Sequence, residues 1–506
     1  MDNLTEINDS GTACDLHPPC GSTAKPVRRA LYFFKGAAAI ASARIIGYAM
    51  SFARNIILAR TLTKADYGMS AAFASTVSLL ELSGRFGLGQ LLIRSRRGNA
   101  QSFMASLHTV QLASGFVSAL LLLTLCRPMA DMFHVPGATW AFGALSVIPI
   151  ANSLWHLDNW RVQRNFNFVP CALTELVPQT VVTLAAWPLT RVFHDYRAIV
   201  ILLVAKAILA LSVTHVLAKR RYALKWNQRW CSEIYVWAWP LLASNVIVFA
   251  SGQANQLVIG GAFSVSRLAG YAIATSLVSI PWFIISNVGS SLLLPILSRA
   301  VDSKQRFEAQ LLLFFGVSSV AAVLLSTGFV FFGENAVVLL FGKGYQGCGI
   351  YVTILGAGIA VRLLGIVTTL AALAWGDTTN ELFSNIWMSV SLPLSLLAVY
   401  CGLGPAWVAG CVAFGEFVGL IASFWRLRRI FAFSVKDAAV PFAYFFFFLL
   451  VIAVVLSNGI ERAGLIVQIC GCVCVCVVAL GVGVVVFPWL RDASSCAVLL
   501  SEDELA

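Results

Sequence analysis

Charged side chains interrupt apolar stretches that are long enough to cross a bilayer. Glu81 and Arg85 lie four residues apart in one such stretch, and the others are Arg44, Arg54, Glu175, Lys206, Arg362 and Glu416. A charge in the hydrocarbon core costs about 2.5–3.5 kcal/mol on the insertion scale unless it faces a partner or a water-filled cavity. The chain is therefore expected to enclose a polar interior within the membrane, as a carrier does.

Within the apolar stretches, cations outnumber acids in the first half of the chain. The stretches of residues 31–217 hold Arg44, Arg54, Arg85 and Lys206 with Glu81 and Glu175, whereas those of residues 233–428 hold Arg362 with Glu416. Arginine suits a diphosphate because its planar guanidinium donates two parallel hydrogen bonds. The surplus favours an anionic cargo. The predicted cationic site consists of Arg44, Arg85, Lys206 and Arg362, and the possible coupling or partner carboxylates are Glu81, Glu175 and Glu416.

Each charge also has a purely structural interpretation. Glu81 and Arg85 have i,i+4 spacing and can neutralise each other on one helix. Arg54 and Arg85 lie near the ends of their stretches, from which a long side chain can reach the headgroups. Arg44, Lys206 and Arg362 lie nearer the middle of theirs, so these three are expected to face a water-filled cavity.

Uncharged polar and aromatic residues supply further candidates. Gln253, Asn255 and Gln256 can line the substrate path or join helices by hydrogen bonds. Five tryptophans can stack on sugars, although Trp is also the usual interfacial anchor; they are Trp155, Trp237, Trp239, Trp282 and Trp387. His108 and His156 are expected to be packed or interfacial, with a proton relay as the alternative.

Composition places the chain among polytopic membrane proteins. Of its 506 residues, 59% are hydrophobic and 11% are charged, whereas soluble domains average about 45–50% apolar and 25% charged residues. Windows of about 20 apolar residues predict an all-α protein with about 14 transmembrane helices. Residues 1–24 contain no Lys or Arg, so the first span is expected to act as an uncleaved signal.

The net charge of +12 is explained by topology rather than by nucleic acid. Most of the loop Lys and Arg fall on one side when the spans are alternated, which predicts that both termini are cytoplasmic in the inner membrane. The predicted divisions are a cytoplasmic tail (1–30), a six-helix lobe (31–217), a basic connector (218–232), a second six-helix lobe (233–428), two additional helices (438–490) and a second cytoplasmic tail (491–506).

The two lobes carry similar sequence at corresponding places. Residues 59–75 read ARTLTKADYGMSAAFAS and residues 260–276 read GGAFSVSRLAGYAIATS. Each pairs a short polar hairpin with a helix start rich in Gly and Ala. Internal repeats of this kind are common in transporters, which place the substrate between the halves. Six spans per half return the chain to the same side, so the repeats are predicted to be parallel.

Several stretches resemble one transporter family when taken in order. They are IILARTLTKADYG (56–68), FGLGQLLIRSRR (86–97), QRNFNF (163–168), LAGYAIATSLVSIP with LLPILSR (within 268–299), VLLFGKGY (338–345) and GLGPAWV (402–408). Their order and spacing resemble the polysaccharide-transporter branch of the multidrug/oligosaccharidyl-lipid/polysaccharide (MOP) flippase superfamily, the Wzx-like oligosaccharide flippases. The resemblance covers most of residues 31–430.

The resemblance implies two six-helix lobes in a V and transport by alternating access. It also implies that an undecaprenyl-diphosphate-linked oligosaccharide crosses the inner membrane for O-antigen, capsule or exopolysaccharide synthesis. The implied partners are this lipid-linked oligosaccharide, membrane lipids, and a polysaccharide polymerase and chain-length regulator. No cofactor is expected, and H⁺ or Na⁺ coupling is the candidate energy source because the chain lacks a GxxxxGK[ST] nucleotide-binding loop.

Three other functions fit a chain of this kind less well. A drug/cation antiporter of the MATE type shares the architecture, but such a carrier needs intramembrane carboxylates, whereas buried Arg and Lys outnumber acids in the first lobe. A membrane polysaccharide polymerase or glycosyltransferase needs a large external loop or a carboxylate cluster, and the short loops and the lack of Asp within the spans argue against both. A scaffolding subunit leaves the buried charges unexplained. A transporter, not an enzyme, is therefore expected.

Overall fold

Apolar segments of this length form helices because a bilayer offers no water to satisfy backbone N–H and C=O groups. The computed structural model describes residues 26–81, 88–95, 97–163, 167–431, 435–457 and 465–486. Over these ranges the regular structure is helical throughout, which confirms the predicted all-α class. Eight helical segments among the described residues are long and apolar enough to cross a membrane.

The first half of the chain contains nine helices within its described ranges. They are α1 (Pro26–Thr61), α2 (Lys64–Glu81), α3 (Leu88–Arg94), α4 (Gln101–Met132), α5 (Thr139–Ala144), α6 (Val147–Ser153), α7 (Asp158–Gln163), α8 (Val169–Phe193) and α9 (Arg197–Val216). Helix α8 packs along both α1 and α9, and α4 packs along α6.

The second half contains ten more helices within its described ranges. They are α10 (Gln228–Gly252), α11 (Ala254–Ala262), α12 (Val265–Ala300), α13 (Lys304–Phe341), α14 (Gly349–Ala374), α15 (Asn380–Met388), α16 (Ser391–Tyr400), α17 (Pro405–Ile430), α18 (Val435–Ser457) and α19 (Leu465–Val486). Helix α14 packs against α12, α13 and α17, while α18 and α19 both pack on α13.

Three of the predicted spans are broken helices, and proline explains two of the breaks. The apolar window of residues 138–157 is divided between α5 and α6, and the apolar window of residues 380–400 between α15 and α16. A proline removes the hydrogen bond to the carbonyl four residues earlier and crowds that carbonyl. Pro149 and Pro393 lie four residues after Leu145 and Ser389, where the two breaks occur. The third break, at Gln253, follows Gly252.

Helix α10 begins inside the segment predicted to be a connector. The Asn227 side chain accepts a hydrogen bond from the backbone N–H of Trp230 at 3.2 Å, which makes it the N-cap. The non-helical segment before it is attached to the first half. Lys225 N–H donates to the Ala105 carbonyl at 3.3 Å, and Lys219 N–H donates to Asp158 at 2.8 Å.

The two halves share a hydrophobic core at one end of the bundle. Tyr67 of α2 and Tyr271 of α12 belong to the same buried cluster there. The last turn of helix α1 also lies here, and its Arg60 side chain donates to the backbone carbonyl of Leu340 at 2.7 Å. The halves are therefore closed against each other at the end where α1 meets the last turn of α13.

At the other end a second buried cluster also joins the halves, because it contains Phe103 of α4 and Leu157 together with Ile234 of α10. A third cluster, with Phe307 of α13 and Leu427 of α17, lies within the second half. Most of the remaining helix packing is within one half or the other, which gives the two helical lobes that the resemblance implied.

Candidate substrate cavity

A cavity of about 940 Å³ lies among the helices of the first lobe. Its lining comes from α1, α2, α3, α4, α6, α7, α8 and α9, with Asn245 contributed by α10. Three charged residues line it among those the structure describes: Arg44, Glu175 and Lys206. The structure therefore brings two of the predicted cations and one predicted carboxylate to a single cavity, with one positive charge in excess.

Helix packing explains how Arg44 and Glu175 reach the same space. Arg44 lies on α1 and Glu175 on α8, two helices that run along each other. Gly47, three residues after Arg44, leaves room for the acid: a Cβ there would lie 3.7 Å from Glu175 Oε1. Lys206 approaches from α9, on the other side of α8. Water in such a cavity reduces the cost of holding charge within the bilayer.

The predicted pairing of Glu81 with Arg85 lies outside the described residues. Glu81 is the last residue of α2, and nothing is described of its side chain or of Arg85. The assignment of Arg85 to the cationic site, and of Glu81 as its partner, stays a prediction.

Arg362 has its partner in the second lobe. Its Nε lies 3.5 Å from Glu416 Oε2, and its guanidinium carbon lies 5.0 Å from the ring centroid of Trp282. Glu416 is only 8% exposed, whereas the Arg362 side chain is 36% exposed. The pair joins α14 to α17 and is not part of the first-lobe cavity. Arg362 is therefore separated from Arg44 and Lys206 in this conformation.

Two of the three predicted polar residues near the break between α10 and α11 join helices by hydrogen bonds, and the third is exposed. Gln253 is exposed at the break itself. Gln256 accepts a hydrogen bond from Ser75 of α2 at 3.0 Å, and Asn255 donates to Ser391 of α16 at 3.3 Å. Both amides are buried. The bond between Gln256 and Ser75 crosses from one lobe to the other.

Arg54 is a cation that the predicted site omitted. Its Nη2 is 3.5 Å from Ser51 Oγ, while Nε and Nη1 are buried and have no hydrogen-bond partner in the part of the chain that the structure describes. Its position near the end of a span predicts a side chain that reaches the headgroups, but two of its nitrogens are buried within the bundle. The shared core at that end could not be foreseen from α1 alone.

Sequence reasoning also missed the uncharged wall of the cavity. Gln111, His156 and Asn159 are buried residues that line it, together with the half-buried Trp155. Only His156 and Trp155 were considered, each for another reason. Pro149 is the feature of the sequence that could have predicted this wall. It breaks the span between α5 and α6, and the polar residues that follow α6 then lie inside the lobe.

Asp158, the first residue of α7, joins the helix that carries part of this wall to the connector. It accepts hydrogen bonds from Arg161 Nε at 2.5 Å and from the Lys219 N–H at 2.8 Å. Burial alone raises the pKa of Asp158, but the two hydrogen bonds outweigh burial and hold the pKa below its ordinary value. The carboxylate is therefore charged at neutral pH and anchors the connector to α7.

The fold and cavity define a class of protein. Two six-helix lobes, the first of which holds a polar cavity, with two further helices on α13, give a fold that is also found in solved MOP-superfamily transporters. The lipid II flippase MurJ in its inward closed conformation matches with a TM-score of 0.70 and 11% identity, over 89% of this chain and 99% of that one. An inward-facing MATE multidrug transporter matches with a TM-score of 0.61 and 14% identity, over 76% and 94%.

Sequence comparison narrows the class to a family. The family model described as "Polysaccharide biosynthesis protein" matches residues 57–349, more than half of the chain. The protein belongs to that family, which confirms the predicted polysaccharide-transporter branch of the MOP superfamily. A search of curated proteins finds no match.

Proposed function

We propose that this protein is a flippase that moves a diphosphate-linked oligosaccharide lipid across the bacterial inner membrane by alternating access. The observation that carries the proposal is the placement of Arg44 and Lys206 in one intramembrane cavity with a net positive charge. A lipid-linked oligosaccharide combines an anionic diphosphate, a polar glycan and an apolar tail. The two cations would hold the diphosphate while the cavity encloses the sugars.

The end at which α1 meets the last turn of α13 would face the periplasm. Basic residues concentrate in the loops at the other end, and such residues favour the cytoplasm. The cavity would then load from the cytoplasmic leaflet, where the lipid-linked sugar is assembled. Both termini would be cytoplasmic. The delivered unit would pass to a polymerase with its chain-length regulator, and the protein would perform transport without catalysis.

Ion coupling would act through the carboxylates. Glu175 shares the cavity with the cations, whereas Glu416 is paired with Arg362. A proton or Na⁺ at Glu175 would change the net charge seen by the diphosphate. The cation surplus disfavours the alternative of a cationic drug as cargo.

The test is complementation of a strain that lacks this protein. Arg44→Ala and Lys206→Ala should each reduce surface polysaccharide at least tenfold while membrane protein levels stay normal. Lys206→Arg should retain more activity than Lys206→Ala, because the charge is kept. Arg428→Ala is the matched control, since Arg428 is an exposed cation at the end of α17, away from the cavity. Full activity of the Arg44→Ala, Lys206→Ala double variant would overturn the proposal.

A further inference from the structure

One wall of the cavity carries polar atoms that the protein leaves unsatisfied. Gln111 Oε1, Trp155 Nε1 and Asn159 Oδ1 have no hydrogen-bond partner among the residues that the structure describes. Gln111 and Asn159 are only 7% and 4% exposed. All three residues line the same cavity as Arg44 and Lys206. Buried polar groups are almost always paired, so three around one cavity call for a bound partner.

Neighbouring groups fix the orientation of the Gln111 amide. Its Nε2 donates to the backbone carbonyls of Asn152, at 2.9 Å, and Trp155, at 3.4 Å. Two carbonyl oxygens can only accept, so the amide nitrogen must face them. The Gln111 carbonyl oxygen is therefore left as an unpaired acceptor.

The same reasoning assigns Asn159. Thr174 Oγ1 donates its proton to the carbonyl of Pro170 at 2.8 Å, so the hydroxyl can only accept from Asn159. Asn159 Nδ2 fills that role at 3.0 Å. The Asn159 carbonyl oxygen is thus a second unpaired acceptor.

The remaining group is a donor, because the indole N–H of Trp155 can only donate. The wall therefore presents one donor and two acceptors with fixed roles, supplied by α4, α7 and the segment after α6.

We propose that Gln111, Trp155 and Asn159 form a subsite for the vicinal hydroxyls of a hexose in the lipid-linked substrate. This inference rests on the proposed function, because the diphosphate of the same molecule would be held by Arg44 and Lys206. Each hydroxyl donates one hydrogen bond and accepts others, so adjacent hydroxyls can satisfy a donor and two acceptors together. A diphosphate only accepts and leaves the two carbonyl oxygens unsatisfied.

The subsite gives the cavity selectivity that cations alone lack. Sites whose buried polar groups expect a hydroxyl discriminate strongly against analogues without it, because the groups then stay unpaired. The three atoms contact almost no solvent in this structure. Sugar entry therefore requires side-chain rotation, and the hydrogen bonds formed would offset its cost.

The test uses binding of three lipids to the full-length protein in nanodiscs. The probes are undecaprenyl diphosphate, undecaprenyl diphosphate bearing glucose, and the per-O-methyl derivative of the latter, in which the sugar hydroxyls cannot donate. Wild-type protein should bind the glucose lipid at least tenfold more tightly than either of the others. Trp155→Phe and Gln111→Met should each remove most of that preference while changing the Kd for undecaprenyl diphosphate less than twofold.

Two controls separate this inference from the function on which it rests. Trp407→Phe removes an exposed indole outside the cavity and should change none of the three affinities. Arg44→Ala should weaken binding of all three lipids alike. If wild type binds the three lipids equally, the sugar subsite is overturned while the diphosphate site stands. If wild type binds none of them, the proposed function fails and the subsite fails with it.

Discussion

Gly68 of α2 faces the backbone carbonyl oxygen of Val265 at the start of α12 so closely that an added Cβ would overlap it. Backbone thus meets backbone across the two lobes, at the end where they share a core. Gly68 lies in residues 59–75 and Val265 in residues 260–276, the two stretches that resemble each other in sequence. The repeated segments therefore hold the two lobes together at this end, and opening that end must separate them.

The contact between Gly68 and Val265 predicts that Gly68→Ala opens this end of the bundle. Overpacking costs about 1–3 kcal/mol, which lowers the closed-to-open ratio roughly 5- to 150-fold. Nitroxide labels on Thr63→Cys and Lys343→Cys, in a background without native cysteines, should show a new longer-distance component. Gly344→Ala is the control, because nothing lies within 4 Å of its Cβ position. Unchanged distances in Gly68→Ala would show that the contact does not hold the lobes closed.

The pair of Arg362 and Glu416 predicts a second outcome. Removing one partner of a buried pair costs about 3–5 kcal/mol, and we expect about 1–3 kcal/mol for Arg362→Ala because Arg362 is one-third exposed. Glu416→Gln in the same chain should recover most of this loss, since no unpaired carboxylate remains. Thermal unfolding in detergent measures both. Normal stability of the single variant, together with lost transport, would assign Arg362 to substrate instead.

Local rules predict most of the fold, and long-range packing decides the site. Apolar windows predict the helices, and Pro149 and Pro393 are sufficient to predict two of the breaks. The sequence gives no indication that Arg44 and Lys206, on α1 and α9, share a cavity, because helix periodicity says nothing about which helices meet. Arg362 and Glu416 are mid-span charges of the same appearance, yet they pair with each other.

The ion pair between Asp377 and Arg426 predicts a pH dependence of stability. Arg426 donates from Nε to Asp377 Oδ2 at 2.7 Å and from Nη2 to Asp377 Oδ1 at 3.1 Å. These two bonds, with smaller contributions from Thr379, lower the pKa of Asp377 to about 2. A depressed carboxylate pKa stabilises the folded protein above the unfolded-state pKa, and that stabilisation is lost as pH falls toward the folded value. Asp377→Asn should therefore lower Tm at pH 7, and its difference from wild type should shrink between about pH 4 and pH 2. A difference in Tm that does not change with pH would show that the charge of Asp377 is not what stabilises the protein.

Glu175 provides the strictest test of the cavity's electrostatics. It is the carboxylate that shares the described lining with Arg44 and Lys206, so Glu175→Gln raises the net positive charge there by one. At an effective dielectric constant of about 20, one unit charge about 10 Å from an anion is worth roughly 1–2 kcal/mol. Binding of undecaprenyl diphosphate should tighten roughly 5- to 30-fold.

Tighter binding should not improve transport in this variant. A carrier must release its cargo on the far side, so a cavity that holds the diphosphate more strongly should slow release and reduce complementation. Glu381→Gln, which neutralises an exposed acid at the start of α15, should change neither quantity. Weaker binding in Glu175→Gln would mean that the carboxylate positions Arg44 rather than opposing it, because loss of an orienting partner would then outweigh the gain in charge.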